Sequence, residues 1–135
     1  MKTAEFEEVL DKLVVIDFET YFDPPRYTLS NMTTADYIRD PRFETIGVGV
    51  FLPSFTEPMW LEHAEFLEFI AGVPWEDRIV LAHNTPFDGF ILSDRYNVHP
   101  GYLLDTLSMG RALHGTEVGG SLKKLMEHYA VGVKG

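Results

Sequence analysis

A short apolar run near the N-terminus ends directly in acidic residues. Residues 13–16 read Leu-Val-Val-Ile, and Asp17-Phe18-Glu19-Thr20 follow at once. A continuous, β-branched run of this length is typical of a strand that is covered on both faces. Because side chains alternate along a strand, Asp17 and Glu19 point to the same side and lie close enough to share a cation. The sequence therefore predicts a buried strand that ends in paired carboxylates.

This acidic pair has two interpretations. Carboxylate oxygens are hard ligands that suit Mg²⁺ or Mn²⁺, and two carboxylates packed together raise each other's pKa unless a positive partner is present. Alternatively, Asp17 and Glu19 finish an edge strand and pair with nearby basic side chains. An Asp-x-Glu pattern by itself is too short to decide between a metal site and a surface ion pair.

A second acidic cluster follows another apolar strand. Residues 78–82 predict this strand, and the letters HNTP lead from it into an amphipathic helix that carries Asp88 in its first turn. We expect Thr85 at the N-cap and Pro86 at the first helical position. The helix dipole favours an anion at Asp88, although an ordinary capping role for Asp88 and a turn role for Asn84 explain the same residues. Acidic clusters at the carboxyl ends of two strands favour a ligand site, because ligands bind there in open α/β sheets.

The rest of the chain predicts one mixed α/β domain over residues 1–135. Further strands are expected at 45–51, 56–61 and 102–105. Helices are expected at 64–71, over the segment that follows Pro86, through 107–113 and at 122–129, with a short helix opened by Thr33 or Thr34. Strands that alternate with helices in this way form a sheet with flanking helices.

Composition excludes several classes of protein. There is no cysteine, so disulfide frameworks, cysteine zinc sites and cysteine nucleophiles are ruled out. Lys and Arg total 11 against 21 Asp and Glu, a formal charge of −10, which argues against binding of nucleic acid through a basic surface alone. An acidic chain can still handle nucleic acid if its carboxylates hold divalent cations or another domain supplies the basic groove. The N-terminus does not resemble a signal peptide and no apolar run approaches a membrane span, so we expect a cytoplasmic protein.

The two acidic clusters together resemble a known family. VVIDFET at 14–20 and LAHNTPFD at 81–88 resemble the first two motifs of the DnaQ-like, or DEDD, 3′-5′ exonucleases. The match is closest to the proofreading domains of bacteriophage family A DNA polymerases, which residues 27–50, Asp105-Thr106-Leu107 and the letters GSLKKL at 120–125 also resemble. The resemblance implies a ribonuclease H-like fold and a DNA replication enzyme that hydrolyses the terminal phosphodiester of a single-stranded DNA 3′ end.

The resemblance also implies roles for individual residues. Asp17, Glu19 and Asp88 match the metal ligands, which hold two divalent cations, Mg²⁺ or Mn²⁺, for two-metal hydrolysis. Thr20 and Asn84 match positions near the terminal nucleotide, so we expect them to contact the substrate.

The chain departs from the family at its third motif. There, a Tyr or His is followed four or five residues later by the fourth carboxylate, whereas here Glu127, His128 and Tyr129 have no Asp after them. We therefore expect the C-terminal part of the domain to be missing, the chain alone to be weak or inactive, and a downstream polymerase segment or a separate polypeptide to complete it. His128 and Tyr129 are then helix residues. The other histidines, which lack ligand spacing, are expected at surfaces or turns: His63, His83, His99 and His114.

Two other functions remain open at this point. The chain could be a non-catalytic assembly or nucleic-acid-binding piece of a split phage polymerase, or a DEDD exonuclease that degrades RNA. Retention of Asp17, Glu19 and Asp88 favours the nuclease, because three adjacent carboxylates are costly to keep without a function.

Overall fold

The protein is built on one five-stranded sheet. The computed structural model describes residues 3–132. The strands are β1 (Leu13–Thr20), β2 (Thr45–Phe51), β3 (Met59–Leu61), β4 (Ile79–Ala82) and β5 (Tyr102–Asp105), in the order β3-β2-β1-β4-β5. Strand β2 is antiparallel to β1 and β3, whereas β4 is parallel to β1 and to β5. Strand β1 therefore lies at the centre of the sheet.

Six α-helices flank the sheet, and some of them begin at polar capping residues that the sequence identifies. They are α1 (Thr3–Asp11), α2 (Thr34–Arg39), α3 (His63–Ala71), α4 (Thr85–Tyr96), α5 (Thr106–Val118) and α6 (Leu122–Tyr129). Thr33 accepts from the backbone of Asp36, and Ser121 accepts from the backbone of Lys124, so the helices that follow have satisfied first turns. Within residues 3–132, no helix is long and apolar enough to cross a membrane.

Most of the buried core lies on one face of the sheet. Val14, Ile16 and Phe18 of β1 point to this face, and the Phe18 ring packs edge-on against Phe66 of α3 with 5.4 Å between centroids. On the opposite face of β1, Asp17 and Glu19 remain exposed. The strict alternation of β1 thus separates an apolar core from an open acidic surface.

The predicted fold is confirmed as a mixed sheet with flanking helices, a ribonuclease H-like fold, with three local differences. Strand β3 begins at Met59 rather than Thr56, because Pro58 has no N–H to donate to the ladder. Helix α1 was not predicted, although Phe6, Val9 and Leu10 have the i, i+3, i+4 spacing of a helical stripe; none of its residues is buried. Helix α5 runs on to Val118, beyond the predicted 113, through a non-helical Gly115 with φ 58°.

Candidate metal centre

Asp17 and Glu19 stand side by side on the open face of the central strand. Their cross-strand neighbours on β2 are Gly49 and Gly47, which place no side chains of their own beside the two carboxylates. No ion pair between residues 3 and 132 includes either acid. The alternative that they finish an edge strand and pair with basic side chains is therefore wrong. Their placement on one face, predicted from strand periodicity, is confirmed.

Asp88 reaches the backbone of β1 from the first turn of α4. It is 3% exposed, and its Oδ1 accepts a hydrogen bond from the Phe18 N–H at 3.0 Å. The pairing of β1 with β4 ends at Val15 opposite Leu81, so Phe18 lies beyond the last paired residue of β1 on that side. A buried N–H without a partner is costly, and Asp88 supplies the acceptor that the shorter β4 does not. This contact brings Asp88 to the residue between Asp17 and Glu19.

Burial dominates the electrostatics of Asp88. Burial raises the pKa of Asp88 to about 7, and the Asp17 and Asp105 carboxylates add to the rise, while the Phe18 N–H opposes it. Desolvation and like charge both penalise the ionised form. A positive charge placed beside Asp88 would restore its ordinary ionisation.

The turn between β4 and α4 differs from its prediction at one position. Asn84, not Thr85, is the N-cap, and Thr85 and Pro86 are the first two helical residues. Asn84 adopts a left-handed backbone with φ 66° and ψ 56°, a conformation that Asn tolerates better than Thr, because Thr is branched at Cβ. The buried Thr85 hydroxyl lies 2.6 Å from the carbonyl oxygen of Leu104, which ties the start of α4 to β5.

Asp105 supports this turn, a role that the sequence reasoning missed. One of its carboxylate oxygens accepts from the Asn84 N–H at 2.8 Å and from the Leu107 N–H at 3.0 Å. Burial works to raise the pKa of Asp105, but these backbone donors outweigh it and hold the pKa below its usual value. An Asp at the end of a strand and immediately before a helix is an N-cap signal that could have identified the local part of this role.

The two residues expected to contact substrate have different surroundings. The Thr20 hydroxyl lies 2.8 Å from the Tyr37 hydroxyl, which itself donates to the Tyr21 carbonyl oxygen at 2.5 Å, so Thr20 already holds a structural bond. The Asn84 side chain is exposed and makes no capping hydrogen bond. Their contact with a terminal nucleotide stays a prediction.

His63, His83 and His99 lie at surfaces or in turns as the sequence predicts, whereas His114 is half-buried in α5 and its ring centroid lies 4.6 Å from that of His128. His83 is in the turn after β4 and its Nδ1 lies 2.9 Å from the Thr106 hydroxyl. His128 and Tyr129 are exposed residues of α6, and Tyr129 hydrogen-bonds His114. His63 and His99 are also exposed.

The described residues include the oxygen ligands that hard divalent cations prefer, but they do not form a complete coordination site. Among residues 3–132, no three His, Cys, Asp or Glu side chains are grouped closely enough to hold a metal ion. The neighbouring Asp17, Glu19 and Asp88 nevertheless offer only carboxylate oxygens, the donors that Mg²⁺ and Mn²⁺ prefer. These residues therefore fit the cations that the sequence resemblance implies.

The architecture is that of the ribonuclease H-like fold. No protein-family profile and no curated protein matches the sequence. Solved structures do match. Trypanosoma brucei RNase D in complex with RNA U12 matches with a TM-score of 0.65 and 10% identity over 97% of this chain and 44% of that one. Escherichia coli RNase D, an exoribonuclease involved in structured RNA processing, matches with a TM-score of 0.61 and 12% identity over 98% of this chain and 32% of that one.

A third match is the EXO domain of Aedes aegypti Nibbler. It has a TM-score of 0.60 and 10% identity, over 96% of this chain and 64% of that domain. The chain thus spans between about a third and two thirds of the length of these structures. At such identities the likeness establishes the fold.

Proposed function

We propose that this chain is part of a metal-dependent 3′-5′ exonuclease of the DEDD type, in which Asp17, Glu19 and Asp88 hold two divalent cations, Mg²⁺ or Mn²⁺. The observation that carries the proposal is the hydrogen bond from the Phe18 N–H to Asp88, which brings a buried carboxylate to the residue between two exposed ones. Cations bound there supply the Lewis acidity that phosphodiester hydrolysis requires.

The chain's own residues give the site its shape. Asp17 and Glu19 face outward from the middle of the sheet, so a substrate approaches from the open face. The Phe18 N–H fixes Asp88, and Asp105 fixes the turn that leads to α4. A rigid arrangement of this kind favours catalysis, because small misplacement of reacting groups lowers the rate steeply.

The substrate in this proposal is the 3′ end of single-stranded DNA, in the cytoplasm, as in a phage polymerase that proofreads. The resemblance of residues 27–50 to the proofreading domains of phage polymerases supports this choice over RNA. The fourth carboxylate comes from a downstream polymerase segment or from a separate polypeptide. Thr20 and Asn84 contact the terminal nucleotide.

RNA is the second candidate substrate, and a specific observation favours it. The fold matches Trypanosoma brucei RNase D, a structure solved in complex with RNA. A protein distinguishes RNA from DNA through the 2′-hydroxyl. DNA and RNA oligonucleotides of one sequence, compared in the same binding and degradation assays, separate the two substrates.

Metal binding tests the site directly. Thermal shift and calorimetry with Mn²⁺ would compare the wild type, Asp17→Asn and Glu57→Gln, the last of which neutralises an exposed carboxylate away from the site. We expect Mn²⁺ to stabilise the wild type and Glu57→Gln by about 1.4 kcal/mol at ten times the dissociation constant, and Asp17→Asn much less. An equal response in all three proteins would refute the site and favour a non-catalytic assembly piece.

A further inference from the structure

Trp60 is an exposed aromatic residue on the same face of the sheet as Asp17 and Glu19. It lies on β3 opposite Gly49, and Gly49 lies opposite Asp17 on β1. Directly paired residues point to the same face, so the three form one row across the sheet. The side chain of Trp60 is 52% exposed.

The indole lies across Gly47 towards the acidic pair. A Cβ atom added to Gly47 would collide with Cζ2 of the Trp60 ring, so the ring rests directly on the glycine backbone. Gly47 is itself opposite Glu19. With neighbouring strands about 4.8 Å apart, the indole lies one to two strand spacings from the two carboxylates. A single nucleotide bridges such a span between its phosphate and its base.

The free face of this indole has no partner within the described residues. No hydrogen bond or ring contact between residues 3 and 132 involves the side chain of Trp60, whereas the indole of Trp75, the second tryptophan, is buried and donates to the Ile70 carbonyl oxygen at 3.0 Å. An aromatic ring can shield a glycine in a strand, and this explains why one face of the Trp60 ring packs against Gly47. It does not explain a large exposed π-face beside a cluster of carboxylates.

We infer that Trp60 is a stacking platform for a nucleobase next to the scissile phosphodiester, an inference that rests on the proposed exonuclease function. Stacking on an aromatic side chain holds a base without reading its identity and suits single-stranded nucleic acid. It also adds affinity that does not depend on charge, which an acidic chain needs in order to hold a polyanion. A side chain at Gly47 would collide with the indole, so the ring can rest against this strand only if the residue is glycine.

Two measurements on the 135-residue chain test this role. Binding of a 5′-labelled oligothymidylate with Mg²⁺ is followed by fluorescence anisotropy, and the matched RNA oligonucleotide forms the second arm. The fluorescence of Trp60 is read in Trp75→Phe, or as the difference between the wild type and Trp60→Phe if Trp75→Phe does not fold. Trp60→Leu keeps an apolar cover over Gly47 without a π-face, Trp60→Phe keeps a smaller π-face, and urea unfolding checks that each variant is folded.

We expect the oligonucleotide to quench Trp60, and Trp60→Leu to weaken binding by roughly fivefold to a hundredfold, the range for loss of one stacked base. Trp60→Phe should recover part of the loss. Binding that leaves Trp60 fluorescence and the affinity of Trp60→Leu unchanged would overturn the stacking role while the exonuclease proposal stands. If no oligonucleotide binds, the stacking role also fails, and the exonuclease proposal is then judged by the Mn²⁺ response.

Discussion

Replacing Asp88 by Asn is the most informative perturbation of the candidate metal centre. The Phe18 N–H donates to the Asp88 carboxylate at 3.0 Å. The amide introduced by Asp88→Asn would keep an oxygen that can accept this hydrogen bond, and it would remove the buried charge. The pKa of Asp88 rises from 3.8 to about 7 in the folded protein. At 1.36 kcal/mol for each pKa unit, ionised Asp88 lowers the stability of the metal-free wild type by roughly 4 kcal/mol above pH 7.

The sign of the pH dependence follows from the raised pKa. Below about pH 3.8 Asp88 is protonated in both the folded and the unfolded states, so it does not alter stability. As the pH rises towards 7, the unfolded state loses its proton first and the wild type loses stability relative to Asp88→Asn. Linkage gives a widening of about 3 kcal/mol in this difference between pH 5 and pH 8. Any effect of the amide on stability that does not depend on pH is the same at pH 5 and pH 8, so it cancels in this comparison.

Urea unfolding of metal-free protein at pH 5 and pH 8 measures the effect. Glu57→Gln is the control, because it removes an exposed carboxylate and should differ from the wild type by the same amount at both pH values. If the difference between Asp88→Asn and the wild type does not change with pH, Asp88 does not titrate as a buried acid. The destabilising effect assigned to the buried Asp88 charge would then be refuted.

Three other perturbations have defined outcomes. Asp17→Asn should leave the metal-free protein as stable as the wild type or stabilise it, because it removes like-charge repulsion; a loss of more than about 1 kcal/mol in urea unfolding would reveal a structural role for Asp17. Asp105→Ala should destabilise the protein by about 1–3 kcal/mol, because the N–H groups of Asn84 and Leu107 lose their acceptor. Asp105→Asn should destabilise it less. Equal stability of Asp105→Ala and the wild type in urea unfolding would show that water replaces the two hydrogen bonds. The 135-residue chain alone should release few or no nucleotides from a 3′-labelled single-stranded oligonucleotide, because no Asp follows Asp105 in its sequence to act as the fourth metal ligand. Robust degradation that Glu19→Ala abolishes would show that another residue supplies this ligand.

Local patterns in the sequence were sufficient for most of the helices and strands and for the shared face of Asp17 and Glu19. The period of two along β1 places Asp17 and Glu19 on one face because alternation is a property of the strand itself. The helices at 34–39 and 122–129 were predicted from the capping residues Thr33 and Ser121, whose hydrogen bonds span three residues. Interactions of such short range can be read from neighbouring letters.

The rest of the site depends on contacts between residues far apart in the chain. Asp88 is buried because β4 is shorter than β1 and leaves the Phe18 N–H, 70 residues away, without a strand partner. Asn84 takes the N-cap because Asp105, 21 residues later, binds its N–H. Sequence alone therefore determined which carboxylates are present and the face that the first two share. Only the tertiary structure decided which carboxylate is buried and where Trp60 lies, because burial and approach depend on strands and helices that pack together from distant parts of the chain.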